Sequence, residues 1–385
     1  MKQRHWFNLH GWFALPLWLL FCFICITGTL AVFSHELTWL FNPNARATNP
    51  ADMPAKPIAE LVEVVEREYP QADVTTVISF EPYLVNAIAF SDAEHPYALA
   101  YVNPYTGKIQ EVNTGVTFIN FIRSLHGWLL FPWHGSYSIG YYLVSAFSLL
   151  LLGSLITGLV IYKRFWRAFT QPKLRLKQGK KTVLADLHRL AGAWSLWFIA
   201  IMSATGLWYL TQQILWHNDI DIEGHAPLVD ASAVPTQASE QLPVSFAQAL
   251  EQVKQRYPNF RNGYSMLPEH SRGMYQLIGG GGEMFYDQYS YRVAVNPYSG
   301  EIAQASSPAD MGVLETVLHV ADTLHYGTFG GLWTKSLWFI FGLILSGMSI
   351  TGFMMWGNRT LKASKNAARK QRKIEQVQTV QQGVQ

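Results

Sequence analysis

The sequence predicts an integral membrane α-helical protein with four transmembrane helices, built as a tandem duplication of two, and with two inserted α+β domains. Three observations support this class. Hydrophobic residues make up 49% of the 385 residues, and they gather in four blocks long enough to cross a bilayer. Charged residues make up only 14%, against roughly 25% in a soluble domain. Many tryptophans lie near the ends of the apolar blocks, as in an interfacial belt.

The first span is predicted from about Leu9 to Phe41. With its flanking cations Lys2 and Arg4 it resembles a signal peptide, but its apolar core exceeds the roughly 7–15 residues of a signal h-region. No small-residue cleavage site follows Thr27. We therefore predict a retained membrane anchor.

Two cysteines, Cys22 and Cys25, lie within this span. A c-type haem attachment needs a histidine directly after the second cysteine, and here Ile26 follows. Two cysteines are also too few for a disulfide framework. Apolar packing is the expected role of both residues.

The whole chain alternates apolar spans with polar inserts and basic segments. The predicted order is the N-terminus and first span 1–41, the first insert 42–118, a short helix and the second span 119–163, a basic loop 164–187, the third span 188–216, the second insert 217–318, a short helix and the fourth span 319–357, and a basic tail 358–385. Each insert should contain one helix followed by strands, because a segment of helical apolar periodicity precedes short alternating runs.

The two inserts also end in the same kind of turn. The first carries Asn-Pro-Tyr-Thr-Gly-Lys at 103–108, and the second carries Asn-Pro-Tyr-Ser-Gly-Glu at 296–301. Proline presets φ in such a turn, and glycine takes the position that needs a positive φ. The repeated turn is one sign of an internal duplication.

The spacing of matched residues is the second sign of duplication. Seventeen residues separate His10 from Thr27, and the same number separates His188 from Thr205. The second and fourth spans both end in a Thr-Gly pair, at Thr157 and at Thr351. Both halves should run in the same direction, so a pseudo-two-fold axis along the membrane normal is expected.

Charge distribution predicts the orientation. Lysine and arginine gather at the N-terminus, in the loop 164–187 and in the tail 358–385, whereas both inserts are acidic. By the positive-inside rule the three basic segments are cytoplasmic. The predicted location is a bacterial inner membrane, with both termini in the cytoplasm and the inserts in the periplasm.

Four histidines occupy matched positions at the edges of the predicted spans. His10 and His188 lie at the cytoplasmic edge, and His126 and His325, each preceded by leucine, lie at the periplasmic edge. A single interfacial histidine needs no special role, but a two-fold axis brings each pair face to face. Two neutral imidazoles can fill both axial positions of a haem iron. We predict His10, His188, His126 and His325 as cofactor-binding metal ligands.

Residues near the four histidines add detail to the predicted cofactor sites. Seventeen residues of helix from His10 would rise about 25 Å, which would separate two layers of cofactor. Gly127 and Gly327 would let a flat macrocycle approach the second pair. Candidate partners for anionic groups of the cofactor are Arg4, Arg123, Arg164 and Arg189. The Thr-Gly pairs are expected mainly to support close helix packing.

Other histidines remain open as alternatives in the second layer. His35, His134, His217 and His319 lie on the predicted periplasmic side without repeat partners. Each has an ordinary interfacial or loop role as its simplest interpretation, but any of them could replace a member of the second pair or contact substrate. The sequence predicts no catalytic residue.

Several classes of protein are excluded by missing motifs. The sequence contains no nucleotide-binding or flavin fingerprint, no metalloprotease motif and no serine nucleophile elbow. Gly279 to Gly282 are too loosely patterned for a phosphate loop and predict a flexible hairpin connection. The sequence predicts the lipid bilayer as a partner, and it predicts no nucleic-acid partner.

The combination of duplicated spans, Asn-Pro-Tyr turns, Leu-His pairs and Thr-Gly pairs resembles the PepSY-associated transmembrane proteins, over about residues 5 to 360. Within that family, the size and four-span layout look most like the FoxB-type inner-membrane siderophore reductases. The resemblance implies that the two inserts are PepSY-like domains. It also implies two b-type haems, an oxidoreductase, and periplasmic reduction of a ferric siderophore such as ferrioxamine, with release of Fe(II) during iron uptake.

The implied chemistry is physically consistent, because siderophores hold Fe(III) with hard oxygen donors that fit Fe(II) less well. The electron donor stays open between a quinol and a cytoplasmic protein. Two other functions also stay open. One is a non-redox PepSY regulatory or binding protein, and the other is a transporter of siderophore or iron.

Overall fold

The computed structural model describes residues 3–235 and 242–382, so that Lys2 lies outside the described residues. The chain divides into two compact units. One, the helical unit, comprises Met1–Thr29, Val144–Leu207 and Phe339–Gln385. The other, the sheet unit, comprises Leu30–Leu143 and Trp208–Trp338.

The described residues form both helices and strands. The helices are α1 (Gln3–Ala14), α2 (Trp18–Val32), α3 (Ser34–Phe41), α4 (Ile58–Glu68), α5 (Phe118–Trp128), α6 (Ile139–Ile161), α7 (Arg167–Thr170), α8 (Lys180–Trp194), α9 (Leu196–His217), α10 (Phe246–Arg256), α11 (Val313–Tyr326) and α12 (Gly331–Gln382). The strands are β1 (Asp73–Ile78), β2 (Asn86–Ser91), β3 (Ala98–Val102), β4 (Ile109–Asn113), β5 (Arg261–Met266), β6 (Tyr275–Gly280), β7 (Tyr291–Val295) and β8 (Ile302–Ser306).

Two helical segments of the described chain are long and apolar enough by themselves to cross a membrane, Ile139–Ile161 and Thr328–Thr360. Two further segments qualify only as bent pairs of helices. They are Gln3–Phe13 with Trp18–Val32, bent by 63°, and Lys180–Trp194 with Leu196–His217, bent by 64°. The chain therefore has two candidate spans, or up to four if each bent pair counts as one.

The bends correct the expectation that the first and third spans are single helices. α1 ends at Ala14, and α2 begins only at Trp18, because Pro16 has no N–H to donate to the preceding turn. At the second bend, the Ser195 hydroxyl donates to the Ala191 carbonyl at 2.5 Å, a back-bond that bends helices. The rise of about 25 Å expected between His10 and Thr27 assumed one straight helix, so it does not apply.

In the sheet unit, all eight strands form one antiparallel sheet in the order β4-β3-β2-β1-β5-β6-β7-β8. The four strands of the first insert form one half of the sheet, and the four strands of the second insert form the other half. In each half the last strand of the insert lies at the edge and the first lies at the centre. β1 and β5 join the halves, with Val77 opposite Ser265. Each insert contributes one helix and four strands, and the predicted repeat is visible in this arrangement.

One face of the sheet carries the larger core. α4 and α10 pack there together, through residues such as Leu61 and Val253, onto Ile88 and Leu277, all of which are fully buried. Along β2, Ala87 and Ala89 point to the opposite face, since side chains alternate along a strand. The two helices therefore cover one face of the sheet, and the side chains that alternate with the core residues point to the other face.

The repeated turns fold as predicted. The Asn103 side-chain carbonyl accepts the backbone N–H groups of Tyr105 and Thr106 at 2.9 and 3.1 Å, and Gly107 has a φ of +70°. Asn296 accepts the corresponding N–H of Tyr298 at 2.9 Å, and the second turn glycine has a φ of +75°. In each insert the turn leads into a last strand, β4 or β8, that was not predicted.

Candidate functional site

The first candidate site is the pair His10 and His188 in the helical unit. His10 lies on α1 and His188 on α8, the first members of the two bent pairs. Their imidazole ring centroids are 6.4 Å apart, with ring planes at 83°. Both rings are half-buried. The structure therefore brings together the pair that the repeat predicted.

A threonine hydroxyl fixes the His10 ring. His10 Nδ1 lies 2.9 Å from Thr157 Oγ1, and that hydroxyl donates its only proton to the Gly153 carbonyl at 2.6 Å. The hydroxyl must therefore accept from His10, which places the proton on Nδ1. Nε2 is left unprotonated, with its lone pair available to a metal.

His188 repeats the arrangement. Its Nδ1 lies 3.0 Å from Thr351 Oγ1, and this hydroxyl donates to the Met348 carbonyl at 3.1 Å. Both histidines of the pair thus carry their proton on Nδ1. Thr157 and Thr351 hold the rings of two ligand candidates, a role that the sequence attributed to helix packing.

The glycine after each threonine leaves room for the ring. A Cβ placed on Gly158 would lie 3.6 Å from His10 Cε1, and one on Gly352 would lie 3.5 Å from His188 Cε1. A larger side chain at either position would occupy the space of the imidazole. In contrast, Gly206, in another Thr-Gly pair, serves packing, because its Cβ would lie 2.8 Å from the Ser148 Cβ.

A cavity of about 1120 Å³ opens beside this pair. Its walls are mainly apolar and include the aromatic side chains of Trp12, Phe21 and Trp356 together with both histidines. The volume suits a large flat ligand, since cofactor pockets are commonly about 300–1,000 Å³.

Basic side chains line the same cavity. They are Arg175, Lys181, Arg189 and Arg359, of which only Arg189 was singled out in the sequence. Arg175 bonds the buried Asp186 through Nη2 at 2.8 Å, and Arg189 bonds the same carboxylate. Arg–carboxylate pairing of this kind also fits the carboxylates of a bound cofactor.

The second candidate site is the pair His126 and His325 in the sheet unit. His126 lies on α5 and His325 on α11. Their ring centroids are 6.3 Å apart, with ring planes at 29°. Burial, and then the nearby His126, lower the pKa of His325 to about 3, so His325 is neutral at physiological pH. A neutral imidazole is the form that binds metal.

The two glycines beside this pair differ. A Cβ on Gly127 would meet nothing within 4 Å, so a flat group can approach the backbone there. A Cβ on Gly327 would lie 2.6 Å from the Trp338 ring, and Gly327 ends α11 with a φ of +69°. The expected opening at Gly327 is therefore wrong, because that glycine is a helix cap packed against tryptophan.

Both ring separations match two imidazoles bound to one metal. A metal–nitrogen bond of about 2.0 Å, and about 1.1 Å from nitrogen to ring centre, place two axial ring centres about 6.2 Å apart. The observed 6.4 and 6.3 Å agree with this separation. Within residues 3–235 and 242–382, no group of three or more His, Cys, Asp and Glu side chains is arranged to hold a metal ion. The candidates are two-histidine sites.

The alternative His35 is buried in a charged network. Arg123 Nη2 donates to His35 Nε2 at 3.2 Å, and Nδ1 lies 3.7 Å from Glu81 Oε1. The Lys335 ammonium bonds Glu81 at 2.9 Å and Glu36 at 3.0 Å. Burial, and the nearby cations, lower the pKa of His35. Arg123 therefore occupies one of the two ring nitrogens through which His35 could bind a metal.

The alternative His319 is also buried, but among carboxylates. Its Nδ1 lies 2.9 Å from Asp287 Oδ1, and its Nε2 lies 3.5 Å from Glu223 Oε1. His134 and His217 are instead exposed. Tyr137 stacks on His217 with ring centroids 4.1 Å apart, and His134 pairs with the same tyrosine. None of these histidines has another histidine facing it in the way that His126 faces His325.

A chain with candidate membrane-spanning helices, an antiparallel sheet and two facing pairs of histidines has the features of a membrane protein. The chain belongs to the PepSY-associated TM region family, whose model matches residues 7–359. None of the curated proteins compared with the chain matches it. Family membership confirms the expected resemblance to the PepSY-associated transmembrane proteins. Together with the candidate spans it establishes a membrane protein.

Proposed function

We propose that this protein is a di-haem reductase that passes electrons across a membrane to a ferric siderophore. The observation that carries the proposal is the facing of two histidine pairs, with ring centroids 6.4 and 6.3 Å apart. Such a separation would allow the two imidazoles of each pair to hold one metal ion between them. Each of the two haems of b type would be held by one pair, His10 with His188 and His126 with His325.

Bound haem would supply reversible one-electron transfer, whose potential depends on axial ligands, hydrogen bonds and burial. The residues of the chain set those conditions. Thr157 and Thr351 hold the proton of each ligand on Nδ1, which fixes the ring and raises ligand basicity. The basic residues of the 1120 Å³ cavity would bind the carboxylates of the group.

The proposed topology has four spans, with each bent pair of helices crossing the membrane once. The basic N-terminus, loop 164–187 and tail would be cytoplasmic, and the sheet would be periplasmic, in a bacterial inner membrane. Supporting this orientation, lysine and arginine are concentrated in those three segments. Electrons would enter at the His10/His188 end and leave at the His126/His325 end.

The proposed substrate is a ferric siderophore of the ferrioxamine class. One electron converts Fe(III) to Fe(II), and the hard oxygen donors of the siderophore then hold the metal less tightly, so that Fe(II) is released. The electron donor is a membrane quinol or a cytoplasmic protein. Both donors can reach the cytoplasmic side that the topology assigns to the first pair.

The test is a haem count on the purified protein. We expect two pyridine-haemochrome equivalents per chain, with sharp α and β bands after reduction with dithionite. His10→Ala or His188→Ala should remove one haem, and His126→Ala or His325→Ala the other. His5→Ala, an exposed residue on the same helix as His10, is the matched control and should retain both. A colourless protein after expression with ample haem contradicts the proposal.

Activity separates the reductase from the other functions. In proteoliposomes, a reductase turns over external ferric siderophore only with reductant inside, and Fe(II) appears outside. A transporter accumulates labelled siderophore or iron inside without reductant. A regulatory or binding protein does neither, and its histidine variants should leave binding unchanged.

A further inference from the structure

A series of polar side chains leads from the surface toward the second histidine pair, His126 and His325. Glu223, whose side chain is 30% exposed, stands 3.5 Å from Nε2 of His319, whose side chain is 2% exposed. The Nδ1 of His319 is held by Asp287 at 2.9 Å. Exposure thus falls steeply from Glu223 to His319.

The series of polar side chains continues along α11 to Asp322. His319 and Asp322 are three residues apart on this helix, so they lie on one face with Cβ atoms about 5–6 Å apart. The carboxylate of Asp322 accepts the Tyr209 hydroxyl at 2.8 Å. The Tyr209 ring lies 5.0 Å from the His325 ring, edge to face. Tyr209 therefore joins Asp322 to the second pair.

Two groups of the path, Asp322 and His319, have pKa values shifted upward by their surroundings. Burial, and then the charge of Asp287, raise the pKa of Asp322 to about 7. Burial alone lowers the pKa of His319, but the hydrogen bond and charge of Asp287, with Glu223, raise it overall. Asp322 can therefore take up or release a proton near neutral pH.

Nε2 of His319 is free to bind a proton. His319 Nε2 is buried and makes no hydrogen bond in the structure, although it faces Glu223. A buried polar atom without a hydrogen-bond partner costs free energy, so its presence in a folded protein calls for an explanation. Because Asp287 holds the other ring nitrogen, Nε2 is the position at which His319 can gain or lose a proton toward Glu223.

We propose that Glu223, His319 and Asp322 form a proton-transfer path between solvent and the His126/His325 pair, with Tyr209 as its inner end. This inference rests on the proposed function. Asp322 takes up one proton for each electron that the donor supplies to the His126/His325 site. The proton enters from solvent at Glu223 and binds Nε2 of His319, and the imidazole releases its Nδ1 proton to Asp287. A bridging water can carry the proton on to Asp322. When the electron leaves to reduce Fe(III) to Fe(II), Asp322 returns the proton to solvent.

The proton taken up by Asp322 would compensate the charge of the added electron. An electron added to a poorly solvated site is costly, because charge in a medium of low dielectric is costly. A proton on Asp322 cancels most of that charge nearby. Other titratable or charged groups also face this carboxyl from the elements packed around it. They are Asp287 and Tyr289 before β7, Tyr141 on α6, Tyr209 on α9 and Tyr326 on α11. Arg292 on β7 pairs with Glu223 at 3.0 Å, at the outer end of the path.

The first experiment needs no electron transfer. Infrared difference spectra recorded across pH should show a protonated carboxyl band that titrates near pH 7 and is absent in Asp322→Asn. Glu315→Gln, which replaces another acid of α11, is the matched control and should keep the band. Tyr209→Phe removes a hydrogen bond that lowers the pKa of Asp322, so the band should then titrate at higher pH. A band that persists in Asp322→Asn overturns the proposal.

The second experiment measures the potential of the His126/His325 centre, identified as the centre lost in His325→Ala. In the wild type its potential should fall by up to about 59 mV per pH unit near neutral pH, the value for one proton per electron. Asp322→Asn should flatten this dependence. Glu223→Gln should keep it but slow proton uptake at least tenfold after rapid reduction.

The two proposals fail differently. A protein without haem overturns the reductase function. A protein with both haems, whose pH dependence is unchanged in Asp322→Asn, overturns the proton path alone.

Discussion

His10 Nδ1 and Thr157 Oγ1 lie 2.9 Å apart, although 147 residues separate them in the chain. The hydroxyl donates to Gly153, so it can only accept from the ring. The duplicated half of the chain repeats this relationship between His188 and Thr351 at 3.0 Å. One hydrogen bond therefore sets both the orientation and the tautomer of each ligand candidate.

Replacing either threonine by valine should weaken cofactor binding at the first pair. Thr157→Val and Thr351→Val each keep the volume but remove the acceptor for Nδ1. Loss of such an outer partner typically costs about 10–100-fold in metal affinity. We expect faster haem loss to a haem-scavenging protein, measured by absorbance. Thr157→Ser retains the hydroxyl and should behave as wild type; equal loss rates for serine and valine would contradict the role of the hydroxyl.

The glycines next to these threonines should show a size limit. Gly352→Ala is expected to be tolerated, because its Cβ would lie 3.5 Å from His188 Cε1, an ordinary contact. Gly352→Leu should displace the imidazole and remove the haem of that pair. Gly357 has nothing within 4 Å of a built Cβ, so Gly357→Leu on the same helix is the control. Haem content per chain decides, and full occupancy in Gly352→Leu would refute the steric limit.

Much of the local structure could be predicted from the sequence, because local patterns determine it. The apolar blocks gave the candidate spans, and the Asn-Pro-Tyr turns folded as expected around Asn103 and Asn296. Pro16 was visible in the sequence, yet the bend it causes was not predicted. β4 was missed because its residues Ile109–Asn113 include three polar side chains and are only half-buried, which leaves a weak alternating pattern.

Long-range relationships could not be read from the sequence in the same way. The pairing of β1 with β5 joins segments nearly two hundred residues apart, and no local pattern specifies such a register. The duplication did indicate which histidines face each other. It did not indicate that Asp322, an unremarked acid, would lie beside Tyr209, because that contact depends on how α9 and α11 pack.

The four alternative histidines should not be needed for haem binding. His35→Gln, His319→Gln, His134→Ala and His217→Ala are each expected to retain two haems per chain. The reason is that Arg123 bonds Nε2 of His35 and Asp287 bonds Nδ1 of His319, and neither ring has another histidine facing it. Loss of one haem in any of these variants, at unchanged folding by circular dichroism, would move that histidine into the ligand set.

The buried Lys335 should matter for stability. Its ammonium, 6% exposed, bonds both Glu36 and Glu81, and Lys335→Met would leave two carboxylates without their cation. Breaking a fully buried pair costs about 3–5 kcal/mol; because these carboxylates are partly exposed, we expect about 2 kcal/mol. The control is Lys56→Met, which breaks an exposed pair with Glu60 and should cost less than about 0.5 kcal/mol. Thermal unfolding in detergent compares the two.

The same network predicts how stability depends on pH. The neighbouring His35 imidazole and the Lys335 ammonium lower the pKa of Glu81 to about 2, whereas an unfolded glutamate titrates near about 4.3. A depressed pKa in the folded state stabilises fully above the unfolded value, and this stabilisation disappears as the pH falls through the folded value. The difference in melting temperature between wild type and Lys335→Met should therefore be constant above about pH 5 and shrink toward pH 2. A difference that grows on acidification would show that Glu81 does not hold Lys335 through its charge.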